Sequence, residues 1–129
     1  MAHAIDTNVL VRVLARDDPK QATLADTFLT RGVWVSHVVL VETIWVLETS
    51  YGRSDNELIR MLEELLAHRH VVLQEPETVH AALTTYRSRP SIGFSDSMVL
   101  ELARRHGHIP LGTFDRQLAK MKDTTHITK

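Results

Sequence analysis

No cysteine occurs among the 129 residues, so disulfides and thiolate metal sites are excluded. No apolar run reaches the roughly eighteen residues needed to cross a bilayer. The start, MAHAIDTN, is too short and too acidic for a signal peptide, which favours the cytoplasm and no membrane association. Repeats, low-complexity tracts and a linker are also missing. With 43% hydrophobic residues, the chain is expected to form one compact domain over residues 1–129. Aromatics make up only 5%, and Phe28, Trp34 and Trp45 fall in apolar strand or helix patterns that read as core. No aromatic stacking platform for RNA is therefore expected.

The net charge is −1, but its distribution is uneven. Residues 1–77 hold seven Lys/Arg against twelve Asp/Glu, whereas residues 78–129 hold eight against four. A basic side on a nearly neutral protein can follow a phosphate backbone, and Arg87, Arg89, Arg104 and Arg116 are the candidates. The plainer reading is a solvated surface.

Strand-like and helix-like segments alternate. HAID (His3 to Asp6) reads as a first strand, and Thr7 is placed to cap a helix over about 8–15. Asp18-Pro19 opens the next helix, with Gln21 placed for a capping-box-like contact. VWVS (Val33 to Ser36) is a second strand. A helix from Val38 to Tyr51 stops at Gly52, and Ser54 with Glu57 forms a capping box for a helix to about Ala67. HVVLQ (His70 to Gln74) is a third strand, and Pro76 starts a helix ending near Ser88. RPSIGF reads as a loop, followed by a helix over about 95–107. IPLGT (Ile109 to Thr113) is a fourth strand, residues 115–121 a short helix, and THIT an edge strand. The alternation predicts an α/β fold with a parallel sheet and helices on both faces.

In such folds ligands collect outside the carboxyl ends of the strands. Asp6 ends the first strand, Asp115 follows the fourth, Asp96 opens a helix after a loop, and Glu42 lies early in the helix after the second strand. All four are expected at one end of the sheet. Glu42 stands out within VVLVETIWVL, since a lone ionised carboxylate in an apolar helix costs several kcal/mol unless paired or bound to a cation. Carboxylates gathered in one cleft repel each other, and a cation or a raised pKa is the usual remedy. Oxygen ligands without cysteine suit Mg²⁺ or Mn²⁺, which bind phosphate oxygens and activate water. Phosphodiester hydrolysis follows from such a cleft beside a basic flank. Each acid alone has a plainer explanation: Asp6 as a helix cap, Asp96 and Asp115 as helix N-terminal acids, Glu42 as a partner of Arg12.

Four segments carry a wider pattern: IDTNVLVRVLARDDPKQA, VSHVVLVETIWVLE, GFSDSMVLELARRHG and LGTFDRQLAKM. In order and spacing the chain resembles PIN-domain ribonucleases, in particular VapC-type toxins of toxin–antitoxin pairs. The resemblance implies a three-layer α/β/α sandwich around a parallel sheet of four to five strands, and a metal-dependent endoribonuclease. It carries the catalytic and metal-binding roles onto Asp6, Glu42, Asp96 and Asp115, with supporting roles for Thr7, Asn8 and Thr113. It further implies a homodimer, a cognate antitoxin as partner, and tRNA or rRNA as substrate. Ser95 and Ser97 flank Asp96 where alanine is frequent in that family, a change that removes no ligand.

Rival readings fit less well. A phosphorelay receiver wants an acidic pair after the first strand and an acceptor Asp after the third, but the sites read IDTN and VVLQEP. An Asp-nucleophile phosphatase wants a carboxylate where Asn8 stands. A catalytically silent binding module would not need the full quartet. The pairs His68/His70 and His106/His108 straddle helix ends and read as surface histidines rather than ligands. Phe94 and Phe114 precede candidate acids and are expected in the floor of the cleft.

Overall fold

The computed structural model describes residues 2–128. Internal contacts divide the chain into two compact units, Met1–Pro76 and Glu77–Lys129. No helix among the described residues is long and apolar enough to cross a membrane.

The first unit runs β1 (His3–Ala4), α1 (Thr7–Ala15), α2 (Pro19–Leu29), β2 (Val33–Val35), α3 (His37–Thr49), α4 (Asp55–Ala67) and β3 (Val71–Leu73). The three strands are parallel with β2 in the middle, His3 opposite Val33 and Trp34 opposite Val72. Successive strand residues point to opposite faces. Val33, Val35, Val71 and Leu73 are therefore buried together, while Trp34 and Val72 share the other face at 37% and 55% exposure. Helix α1 packs on α2 and α3, and α4 packs on α3 and β3. Leu10, Leu29, Leu40, Leu47, Leu58 and Leu62 fill the interior.

Each helix start of this unit has a polar side chain that takes up an otherwise unpaired N–H. Asp6 accepts from Val9 N, Asp18 from Gln21 N, and Ser36 from Val39 N. Ser54 and Glu57 form the expected capping box. Asp6, not Thr7, caps α1, and this turns the chain out of β1 after two residues. Gln21 does not reach back to its cap; its Oε1 instead accepts from Arg12 Nε at 2.5 Å. Helix α3 ends two residues earlier than expected, with Ser50 closing it before Gly52 takes its left-handed turn at φ +63°.

The apolar stretch around Glu42 is not buried on every side. Leu40, Thr43, Ile44 and Leu47 face inward, whereas Val38 and Trp45 are 77% and 59% exposed. Trp34 and Trp45 are thus surface residues and Phe28 only half-buried, so the expected aromatic core of this unit is absent. Strand alternation moves Trp34 outward, and the 100° step of a helix moves Trp45 off the Leu40–Ile44–Leu47 face.

The second unit contains α5 (Pro76–Ser88), a 3₁₀ turn at Pro90–Ile92, α6 (Gly93–Arg105), β4 (Leu111–Thr113), a 3₁₀ turn at Leu118–Lys120 and β5 (Thr124–His126). Ile92, Leu100 and Leu118 pack together with the half-buried Leu111 and Met121. Much of the expected RPSIGF loop is structured, because Pro90 favours the 3₁₀ turn and Gly93 opens α6 at φ +78°. The helix expected at 115–121 shortens to a single 3₁₀ turn. Glu101 is buried, accepting from Thr85 Oγ1 and Arg104 Nη1, both at 2.8 Å. Arg104 also donates to the Lys122 carbonyl at 2.7 Å and lies 3.2 Å from Asp123.

The strands are all parallel, as expected of an α/β fold, but they form a three-stranded ladder and a two-stranded one, not one sheet of four to five strands. With two or three residues each, the strands offer few ladder hydrogen bonds, and β4 spends its register on β5 from Leu111–Thr124 to Thr113–His126.

Candidate active site

The first unit positions Asp6, Thr7, Asn8 and Glu42. Asp6 spends Oδ1 on capping α1, with Val9 N at 3.2 Å. Oδ2 has no such duty, so the cap does not exhaust the carboxylate. One residue on, Thr7 Oγ1 donates to Glu42 Oε1, fixing the first turn of α1 to the second turn of α3. Glu42 is exposed and its partner is this hydroxyl, so it carries no burial penalty needing a buried base. Arg12 is committed elsewhere, 3.3 Å from Asp17 Oδ1 and 3.1 Å from Tyr51 Oη. Tyr51 in turn donates to Asp17 Oδ2 at 2.9 Å, closing a ring of contacts across the α1–α2 turn. This ring was not legible from sequence, because its members lie up to 39 residues apart.

Beside Asp6 a groove of about 920 Å³ opens within the first unit. Asp6, Asn8, Arg12, Leu24, Phe28 and Trp34 line it. Exposed Asn8 offers a free amide at its edge, with both a donor and an acceptor.

The second unit positions Asp96, Thr113 and Asp115. Asp96 sits in the first turn of α6 and is half-buried. The helix N-terminus favours its charged form. Even so, burial, reinforced by the negative charge of Asp115, pushes the Asp96 carboxyl above its ordinary value. Burial is the larger cause of that shift and the charge of Asp115 the lesser one. Thr113 Oγ1 accepts from Asp115 N at 3.0 Å and sets the turn after β4. Asp115 Oδ1 then accepts from Gln117 N and Leu118 N, at 2.8 and 3.0 Å, leaving Oδ2 free.

Of the basic candidates, Arg87, Arg89 and Arg116 are exposed. Arg104 is held within its unit by Glu101, Lys122 and Asp123, so its charge is already compensated. Of the paired histidines, His106 and His108 are exposed, whereas His68 and His70 are half-buried. His68 Nδ1 accepts from His70 N at 3.1 Å, so that nitrogen is taken up by the backbone. Phe94 is buried against Tyr86, with ring centroids 6.1 Å apart, whereas Phe114 is exposed and forms no floor.

Asp and Glu oxygens with a Thr and an Asn in support make a hard donor set, suited to Mg²⁺ or Mn²⁺ rather than to softer ions. The push of the Asp115 charge on the Asp96 carboxyl is a repulsion that a bound cation would relieve. Among the described residues no three His, Asp or Glu side chains are already gathered as a ligand cluster.

Searches of curated proteins and of solved structures gave no match. The family model for the PIN domain matches residues 4–123, a span that includes Asp6, Glu42, Asp96 and Asp115. PIN domains are generally nucleases, commonly acting on RNA, and typically use Mg²⁺. With parallel strands, α/β organisation and a family match over nearly its whole length, the chain belongs to the PIN domain family.

Proposed function

We propose that this protein is a metal-dependent endoribonuclease with Asp6, Glu42, Asp96 and Asp115 as its catalytic acids. The observation that carries the reading is the PIN-domain match over residues 4–123, a span that includes all four acids. Asp6, Asp96, Glu42 and Asp115 would hold one or two Mg²⁺ or Mn²⁺ ions. A bound ion supplies positive charge against the phosphate and lowers the pKa of water.

The protein's own groups do the positioning. Thr7 keeps Glu42 in one orientation, which spares it the reorganisation that a free side chain would need. Thr113 fixes the backbone of Asp115, and the cap bonds of Asp6 and Asp115 orient their remaining oxygens. One of these carboxylates takes the proton from the attacking water. Exposed Arg87, Arg89 and Arg116 are the basic groups we assign to the RNA backbone, and Asn8 can hydrogen-bond a phosphate or a base edge.

The wider role we propose is that of a VapC-type toxin. It would block translation by cutting tRNA or rRNA, and a cognate antitoxin would silence it. A cytoplasmic homodimer fits that role. The test is RNA 5′-end sequencing after incubation with Mn²⁺, with EDTA, and with an Asp6→Asn variant. Discrete new ends that need the ion and vanish in the variant are expected. Asn retains the cap, so a folded Asp6→Asn protein that cuts at the parent rate refutes the assignment.

A further inference from the structure

Phe114 is the residue that the site as described does not use. Its ring is 75% exposed, among the most exposed of the large apolar side chains. The exposure does not come from a loose loop. Thr113 O accepts from Ile127 N at 2.8 Å, Thr113 Oγ1 accepts from Asp115 N at 3.0 Å, and Phe114 O lies 3.1 Å from His126 Nε2. Backbone bonds on both sides hold the ring out in water. The same unit buries its other rings, Tyr86 at 1% and Phe94 at 3% exposure.

The two residues that follow Phe114 in the chain are ionic. Asp115 follows directly, with one carboxylate oxygen left over from its cap. Arg116 follows that, exposed and without a hydrogen bond or ion pair among the described residues. An apolar helix or a second apolar face that covered Phe114 together with the two residues after it would desolvate both charges. A nucleotide would not, because it brings a flat π-face for Phe114 and an anionic phosphate for Arg116. Base–aromatic stacking is tolerant of base identity and demands that the base be unpaired.

We propose that Phe114 and Arg116 form a nucleotide subsite that stacks one unpaired RNA base beside Asp115. The inference rests on the nuclease reading and adds a specificity element to it. It makes the enzyme prefer single-stranded loops or ends, through ring contact more than through reading of base edges.

The test uses the full chain with a fluorescent single-stranded RNA that the parent cuts. Binding is measured with Ca²⁺ replacing Mg²⁺, under conditions shown to leave the RNA whole. A series of RNAs carries one abasic nucleotide at each position in turn. Phe114→Leu keeps apolar area and loses the π-face, and is expected to weaken binding about tenfold. The parent should lose a similar factor with the abasic nucleotide at one position, and Phe114→Leu should lose nothing more there. Phe114→Tyr should bind as the parent does. Arg116→Gln should lower the slope of log affinity against log salt by about one.

Parent-like binding and cleavage by Phe114→Leu would overturn the subsite while leaving the nuclease reading intact. So would abasic losses that simply add to those of Phe114→Leu. A changed sedimentation coefficient with unchanged RNA affinity would assign the ring to an interface between copies and reject the proposal. A parent that neither binds nor cuts any RNA removes the nuclease reading, and this subsite with it.

Discussion

Arg104→Met separates a structural arginine from an RNA-binding one. The guanidinium lies against a Glu101 side chain only 10% exposed, and it also serves the Lys122 carbonyl and Asp123. Removing one partner of a fully buried pair costs about 3–5 kcal/mol. Arg104 is 26% exposed and Thr85 still donates to Glu101, so the cost falls below that scale, at about 2 kcal/mol. The lost bond to the Lys122 carbonyl adds about 1 kcal/mol. Methionine preserves much of the packing of the aliphatic stem. For a chain of 129 residues, a total of about 3 kcal/mol corresponds to a fall of roughly 10 °C in Tm. Calorimetry or thermal circular dichroism reads this directly. Adding Glu101→Leu to the variant should restore most of the loss, because an apolar residue no longer needs a cation. The salt slope of RNA binding by the folded variant should equal the parent's. A Tm within about 2 °C of the parent, or a salt slope reduced by about one unit, refutes the structural assignment.

Two further outcomes are expected. Asp96→Asn should raise stability in EDTA near neutral pH while abolishing cleavage. The Asp96 carboxyl is raised in the folded state, so its ionisation penalises the fold once pH climbs past the ordinary value of 3.8. The advantage of the variant should therefore shrink as pH falls and be gone below that value. Urea unfolding at neutral and acidic pH checks the sign, and an advantage that is constant with pH contradicts it. Gly93→Ala should cost about 1–3 kcal/mol by chemical denaturation, from backbone conformation alone. Gly93 sits at φ +78°, ψ 163°, and nothing lies within 4 Å of an added Cβ. A neutral result would mean that the start of α6 relaxes to another conformation.

Helix starts were the most legible feature of the sequence. Ser54 with Glu57 and Asp18 with Pro19 mark local chemistry, and local chemistry survives tertiary context. The parallel α/β organisation was legible for the same reason, because each element announces its own period. What failed was burial. VVLVETIWVL is apolar on several faces, and composition cannot say which faces a neighbour covers; packing covers Leu40, Ile44 and Leu47 and leaves Trp45 outside. Trp34 was misplaced because a three-residue strand gives too few alternations to fix its register. The cap of α1 stayed open between Asp6 and Thr7, both good caps, and only the backbone shows that Asp6 is the last extended residue. The acids of the candidate site could be named from sequence, but not their partners. The Thr7–Glu42 contact spans 35 residues and leaves no local trace.

On the proposed function Asp6 has a second duty besides its cap, and this bears on how a nuclease of this kind would decay. Its Oδ1 closes the start of α1, so an inactivating substitution to a residue without a capping oxygen also loosens the helix that carries Thr7 and Asn8. Descendants that shed catalysis but keep the scaffold are therefore steered toward Asn, Ser or Thr at this position. Alanine there would mark a lineage that had repaired the helix by other means. The cap thus sets a toll on losing activity, written into the folding of the protein before any selection for its chemistry.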